Sequence, residues 1–304
     1  MTEFVLAHLS DPHLGPLPTP RMSDLLGKRA IGYLNWTRNR ATHHASHVVE
    51  ALIADIKAQR PDHIAVTGDL VNIALPDEFA LARRWLHSVG PPHDVTLVPG
   101  NHDSYVAATR NYFLRAWADY LYGDNAQVVT FPFVRRRGKI ALVGLSTAVP
   151  TAPLMATGRL GSRQAAALQE TLSQLANEDC FRILLIHHPV KSSRPAHHKR
   201  LTDAKTVLQI IRTHGVDLIL HGHDHRHSLN WIEGPAKLIP SLGVPSASAI
   251  AHGRSEPASY NLVRITHEEN RWHCDLTVRG FSRKGEHVQE IQRKRLTGSH
   301  PAQG

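Results

Sequence analysis

Cysteine is almost absent: only Cys180 and Cys274 occur among 304 residues, far apart and outside any Cys-x-x-Cys. Neither a disulfide framework nor a thiolate metal site is suggested, and both thiols read as core residues. No apolar run approaches the roughly 20 residues that a membrane span needs. The first such run, Phe4 to Leu9, passes directly into Asp11 and His13 with neither a basic leader nor a small-residue cleavage site. No signal peptide is therefore expected, and the cytoplasm is the expected compartment. Internal repeats and a Pro-rich linker are missing, as is any recognised nucleic-acid module or base-stacking platform, so nucleic acid is not the expected partner. A single large domain over residues 1–282 is expected, followed by a basic tail, 283–304, whose last residues have a disordered composition.

Positive charge and histidine are abundant. The formal net charge of +9 favours anionic partners such as phosphates, although charge alone does not choose among them. Hydrophobic residues at 41% and charged residues at 20% are ordinary for a globular chain, whereas 23 histidines exceed what packing requires. Most of them stand near the ends of apolar strands or in polar loops.

Val95-Thr96-Leu97-Val98 reads as a buried strand that runs through Pro99-Gly100 into Asn101-His102-Asp103, three side chains able to bind metal or move protons. Other strands end in the same way. Phe4 to Ser10 leads to Asp11-Pro12-His13, and His63 to Thr67 leads to Gly68-Asp69. Phe181 to Ile186 leads to His187-His188-Pro189, and Val216 to Leu220 leads to His221-Gly222-His223-Asp224-His225. Between them, helices are expected over 47–60, 77–88, 105–122, 161–176 and 203–213, each with apolar positions at helical spacing. Strands and helices in alternation argue for a layered sheet covered by helices. Residues 127–131 and 139–144 are expected to pair antiparallel through a solvated turn at Arg135-Arg136-Arg137-Gly138. The short alternating strands after residue 225 are expected to form a second sheet packed on the first.

In open α/β sheets, ligands bind beyond the carboxyl ends of the strands, which would bring these tips together. Mixed carboxylate, carboxamide and imidazole donors without thiolate suit Mn, Fe, Zn or Co, and not Ca. The donors are too many for one ion, and a shared carboxylate between two ions about 3.5–4 Å apart is the known arrangement for cleaving phosphoesters.

Asp11-x-His13, Gly68-Asp69, Gly100-Asn101-His102-Asp103, His187 and Gly222-His223-x-His225 together resemble the signature of the calcineurin-like metallophosphoesterase superfamily, over residues 4–225. The resemblance implies Asp11, His13 and His225 on one divalent ion, Asn101, His187 and His223 on the other, and Asp69 between them. His187 is preferred to His188 because the family places its ligand directly at the strand end, two residues before proline. Manganese is the favoured metal, with iron or zinc as alternatives. The implied chemistry is attack on phosphorus by a hydroxide shared between the ions. His102, oriented by Asp103, would either protonate the leaving oxygen or hydrogen-bond the phosphoryl group. With the strand pattern, the expected fold is α/β: a four-layer α/β/β/α sandwich of two packed mixed sheets flanked by helices.

The substrate is set by the surrounding loops. Residues 16–47 form an insertion in which Leu25, Leu26, Ile31, Tyr33, Leu34 and Trp36 alternate with Arg21, Lys28, Arg29, Arg38 and Arg40. It reads either as a segment contacting an anionic membrane surface, peripheral to its inner face, or as a lid or an oligomer contact. With residues 11–15 it resembles bacterial phospholipase C-like members. The expected activity is therefore metal-dependent hydrolysis of a phosphoric diester, on phospholipid or glycerophosphodiester headgroups. Cyclic nucleotide phosphodiesterase and nuclease are alternatives, the latter drawing on Arg135 to Lys139 and Arg283 to Arg295. A catalytically inert metal-containing binding module is the alternative of another class.

Overall fold

Along the first strand, β1 (Thr2–Leu9), Phe4 and Leu6 enter a core on one face, while Ala7 and Leu9 enter another on the opposite face. Apolar residues at both parities mean a strand buried on both sides. In this computed structural model, which describes residues 2–25, 27–37, 45–192, 196–251, 255–283, 285 and 287–296, that double burial recurs in the central strands.

In chain order the remaining strands are β2 (His63–Val66), β3 (Val95–Leu97), β4 (Phe133–Arg137), β5 (Ile140–Gly144), β6 (Phe181–Leu185), β7 (Leu218–His221), β8 (Ser228–Glu233), β9 (Leu238–Gly243), β10 (Ser259–Glu268), β11 (Arg271–Phe281) and β12 (Val288–Arg295). The helices are α1 (Lys28–Asn35), α2 (Ser46–Ala58), α3 (Pro76–Val89), α4 (Tyr112–Ala116), α5 (Ala118–Leu121), α6 (Ser162–Leu175) and α7 (Ala204–His214). The described strands form two six-stranded mixed sheets, in the orders β12-β11-β10-β1-β2-β3 and β4-β5-β6-β7-β9-β8.

The two sheets share a core of Leu6, Val263 and Ile265 from one and Leu142, Ile183 and Leu220 from the other. Helices α2 and α3 cover the outer face of the first sheet through Val49, Leu52, Phe79 and Leu86. Helices α6 and α7 cover the second through Leu168, Leu172, Val207 and Ile211. The result is the four-layer α/β/β/α sandwich. Because β1, β2 and β3 are parallel to one another, as are β5, β6 and β7, each set delivers its carboxyl ends to one edge.

Some local expectations are corrected. Residues 127–131 are not a strand; pairing with β5 begins at Phe133, directly after Pro132, which has no N–H for a ladder. The arginine run is therefore strand and not turn, and Arg135 is buried. Its guanidinium donates to the carbonyl oxygens of Tyr122 (2.6 Å), Pro92 (2.7 Å), Val95 (2.7 Å) and Asp119 (2.8 Å). The helix expected over 105–122 is broken into a 3-10 turn, α4 and α5. The buried Trp117 leaves helical geometry at φ −126° while its indole N–H donates to the Phe79 carbonyl. The later strands do not make a sheet of their own: β8 and β9 extend the second sheet, and β10 to β12 extend the first. Residues 288–295, within the basic segment read as a tail, pair with β11 as an edge strand. No helix among the described residues is long and apolar enough to cross a membrane.

Replacing Arg135 by Met would strand four carbonyls that the guanidinium now satisfies. Stability is expected to fall by about 2–4 kcal/mol. Arg135→Lys is expected to recover little of that, since one ammonium cannot reproduce the planar fork. Urea unfolding midpoints check this; an unchanged midpoint in both variants would contradict the role given to the guanidinium.

Candidate metal centre

Three of the strands that reach the common edge, β1, β2 and β7, are followed by a sharp departure of the backbone. Asp11, His13, Asp69, His223 and His225 have φ of 52°, 39°, 56°, 69° and 51°. Left-handed conformations cost non-glycine residues free energy and persist where the surroundings over-determine them. Here the tips brace one another. Asp11 N–H donates to Gly68 O (3.0 Å), and His13 N–H donates to Asp69 O (3.1 Å).

The carboxylate of Asp103 accepts N–H groups from Asp69 (2.9 Å), Leu70 (2.9 Å), Val71 (3.3 Å) and Gly100 (2.8 Å), tying the tip after β3 to the tip after β2. This corrects the expectation that Asp103 orients the His102 ring. That ring is held instead by the Asn72 carbonyl, 2.5 Å from Nδ1, and by stacking on Tyr105 with centroids 5.2 Å apart. Asp103 is a brace beneath the site. Burial, with the Asp69 carboxylate beside it, raises its own carboxyl above the usual range.

The two central carboxylates divide their oxygens. Asp11 Oδ2 accepts the His223 N–H (3.0 Å), while Oδ1 lies 3.1 Å from His225 Nε2. Asp69 Oδ1 accepts the His102 N–H (2.7 Å), while Oδ2 lies 3.9 Å from His13 Nε2 and 3.4 Å from His187 Nε2. Asp69 thus turns one oxygen towards both groups of imidazoles. Burial would raise its carboxyl, but His187, His102 and His13 overcome that and hold it well below the usual range. Burial opposes ionisation of Asp11 too, and His225 overcomes it.

The rings are oriented from behind by backbone carbonyls. Nδ1 of His13 is 3.2 Å from Val71 O, Nδ1 of His187 is 2.6 Å from Thr67 O, and Nε2 of His223 is 2.8 Å from Lys199 O. With those N–H groups donating outward, the opposite nitrogens are turned the other way, the arrangement that fixes the tautomer of metal-binding histidines. His187 Nε2 is 3.1 Å from Asn101 Oδ1, and His13 Nε2 is 3.3 Å from His225 Nε2.

Compact donor groups form at Asp11, His13 and His225, at Asp11, Asp69 and His187, and at His13, Asp69 and His102. Lone pairs converging on buried carboxylates fit divalent cations, and every donor is oxygen or nitrogen. Burial disfavours charge on His187, yet the Asp69 and Asp11 carboxylates lift it to about 10, so cations and protons compete for its Nε2.

All the residues expected at the site are at this edge. His188 also makes a compact group with His187 and His223, but its nitrogens are occupied, by the Thr147 hydroxyl (2.7 Å) and by Ala156 O (3.2 Å). Burial, with His187 beside it, lowers it to about 3, so it remains a neutral packing residue. Tyr105 and the carbonyls of Thr67, Val71, Asn72 and Lys199 were missed. Backbone carbonyls carry no signal in residue type, and Tyr105 stands in the sequence only as the start of the expected 105–122 helix.

Two glycines are fixed by close approach. A Cβ at Gly100 would lie 2.2 Å from Asp69 Oδ1, and one at Gly222 would lie 1.9 Å from Ser10 Oγ and 2.4 Å from Asp11 Oδ2. Gly222→Ala is expected to displace Asp11 and weaken metal binding at least about tenfold, as disturbing the support of a ligand does. Metal content after gel filtration checks this, with circular dichroism to verify the fold; full loading would contradict it. Manganese at about 100 times its dissociation constant is expected to stabilise the chain by about 2.7 kcal/mol, and a chelator to remove that gain.

Known proteins supply an independent comparison. The sequence pattern of the calcineurin-like phosphoesterase family matches residues 4–227. A glycerophosphodiester phosphodiesterase, GpdQ of Enterobacter lignolyticus (strain SCF1), is 34% identical over 82 residues, which is 24% of this chain and 29% of that protein. A dimetal phosphatase from Danio rerio superposes with a TM-score of 0.60 at 13% identity, over 95% of this chain and 98% of the other. A purple acid phosphatase from yellow lupin (Lupinus luteus) seeds gives 0.57 at 12% identity, over 96% and 53%. At such identities the structures speak for the fold alone, and they agree with the sandwich described above. The family match runs from β1 to just beyond His225 and so takes in every strand tip of the buried donor cluster, and the chain belongs to the calcineurin-like phosphoesterase family.

Proposed function

We propose that this metal-dependent phosphoesterase hydrolyses phosphoric diesters of the glycerophosphodiester class. Asp11, His13 and His225 would hold one divalent cation, Asn101, His187 and His223 the other, and Asp69 would be shared. The observation that carries the reading is Asp69 Oδ2, 3.9 Å from His13 Nε2 and 3.4 Å from His187 Nε2, between two sets of outward-anchored imidazoles. When bound, two such cations supply concentrated positive charge, which eases deprotonation of water near neutral pH and offsets negative charge growing on a phosphoryl group.

The chain's own groups do the rest. With Nδ1 held by the Asn72 carbonyl, Nε2 is the ring nitrogen of His102 that would carry a proton to the leaving oxygen or hydrogen-bond the phosphoryl group. Stacking on Tyr105 restricts the tilt of the ring. Asp103 holds the loops carrying Asp69 and Asn101 in register through the N–H groups it accepts.

Diester preference is supported by the partial match to a glycerophosphodiester phosphodiesterase and by the space beside the site. A cavity of about 530 Å³ adjoins Asn101 and His102, more than a phosphate alone requires. The phospholipase C-like reading of the 16–47 insertion gains no support from the relatives. The nuclease reading weakens. Arg136 pairs with Glu178, Arg137 with Asp124, Lys139 with Asp179 and Arg295 with Asp275, and Arg135 is buried, so these cations are engaged within the chain.

Manganese-loaded protein is expected to hydrolyse bis(p-nitrophenyl) phosphate at least about tenfold faster than p-nitrophenyl phosphate, and to turn over glycerophosphocholine ahead of cyclic AMP. A monoester preference, or full metal content without turnover, would overturn the reading. His102→Ala is expected to lower kcat/KM by about 10²–10⁴ for glycerophosphocholine, whose alkoxide leaves poorly, and far less for the nitrophenyl diester. Equal losses on both substrates would count against proton donation.

A further inference from the structure

The cavity beside Asn101 and His102 has a second half that phosphate chemistry does not require. Its apolar lining comes from Ile31, Leu34 and Trp36, of α1 and the residues just after it, and from Ile73, Leu154 and Met155, with Asn35 and His198 also on the border. Ile31, Leu34 and Leu154 are 45%, 48% and 79% exposed, so apolar surface is open to water directly next to the polar site. Contiguous apolar exposure of this kind marks a surface that receives a ligand.

Polar anchors hold that surface open. Arg29 donates from α1 to the carbonyls of Ile73 (3.1 Å) and Ala74 (2.5 Å). Lys28 donates to Thr151 Oγ1 (2.7 Å) and Met155 O (3.1 Å), which ties α1 to the opposite wall, and it lies 4.3 Å over the Tyr105 ring that supports His102. Leu154 is held at φ 64°, a conformation that a branched side chain keeps only under constraint. Lys28 and Lys199 also border the cavity and bring positive charge towards its polar end. Arg38 and Arg40, which completed the cationic pattern in the sequence, lie outside the described residues, as does Leu26.

We propose that this apolar half is a subsite for the hydrocarbon chain of an amphiphilic phosphoester, with the phosphate at the Asn101–His102 end. The assignment deepens the phosphodiesterase reading and rests on it for the orientation of the phosphate. Its occupant is the apolar substituent of the substrate itself, because the apolar side chains line the same cavity as Asn101 and His102.

The test uses n-alkyl phosphonates from methyl to octyl, below their micellar concentrations, whose P–C bond is not hydrolysed. Affinity for the manganese-loaded full-length protein is measured by calorimetry and as competitive inhibition of bis(p-nitrophenyl) phosphate hydrolysis. Each methylene is expected to tighten binding about twofold, half or less of the roughly fourfold of complete burial, giving about 100-fold between methyl and octyl. Leu34→Asn and Ile31→Asn are each expected to cut that ratio to below about tenfold. Val128→Asn, at an exposed position away from the cavity, is expected to leave it unchanged. Affinity that is flat across the series, or a ratio that both α1 variants leave intact, overturns the proposal. Chain-length-dependent calorimetric affinity without hydrolysis of the nitrophenyl diester would sink the phosphodiesterase reading and support the subsite. Turnover of phosphatidylglycerol vesicles would assign the chain to a bilayer source, and turnover confined to monomeric short-chain analogues to a soluble one; either supports the subsite.

Discussion

A carboxylate almost wholly removed from water, Asp69 at 2% exposure, makes a strict demand on its surroundings. Keeping it ionised there requires positive charge or proton donors within a few ångströms, since an unpaired buried carboxylate costs several kcal/mol. The His102 N–H meets that demand on one oxygen, and the imidazoles of His13 and His187 stand around the other. Asp69 is in turn held by a backbone in the left-handed region, by Asp103 below, and by a glycine at 100 where any Cβ would strike its oxygen. The brace at Asp103 and the glycine at 100 serve the placing of that one group, as Gly222 serves that of Asp11.

The fold meets the demand from two directions. One parallel set, β1 to β3, supplies Asp11, His13, Asp69 and Asn101, and the other, β6 and β7, supplies His187, His223 and His225. The apolar core between the sheets fixes their separation, so the distance across the site is set by packing as much as by hydrogen bonds. Around this rigid floor, α1 and the 151–156 loop are attached through polar contacts from Lys28 and Arg29, which gives the rim a chemistry separate from that of the base.

Much of this was legible because it depends on short-range chemistry. An apolar strand ending in Asp-x-His or Gly-Asn-His-Asp states both its burial and its reactive tip, so the donor set and the doubly covered sheets could be read from residue order. Pairing partners could not. The split of the later strands, β8 and β9 to one sheet and β10 to β12 to the other, is decided by contacts between residues far apart in sequence. Arg135 was read as solvated because arginines usually are; its burial follows from four carbonyls that other segments bring to it. Asp103 looked like a partner for the neighbouring imidazole, yet backbone N–H groups claimed both its oxygens. The insertion at 16–47 showed its composition plainly, but that α1 faces the site, with Ile31 and Leu34 on the cavity wall, emerges only in three dimensions.

On the proposed assignment, the Asp69 carboxylate would be shared by two cations. Electron paramagnetic resonance of the manganese-loaded protein, taken with metal analysis on the same sample, tests it most directly. Two manganese ions per chain with the spectrum of an exchange-coupled pair is the result predicted by a common Asp69 oxygen between the His13 and His187 sides. One ion per chain, or two with the spectra of isolated ions, would contradict it.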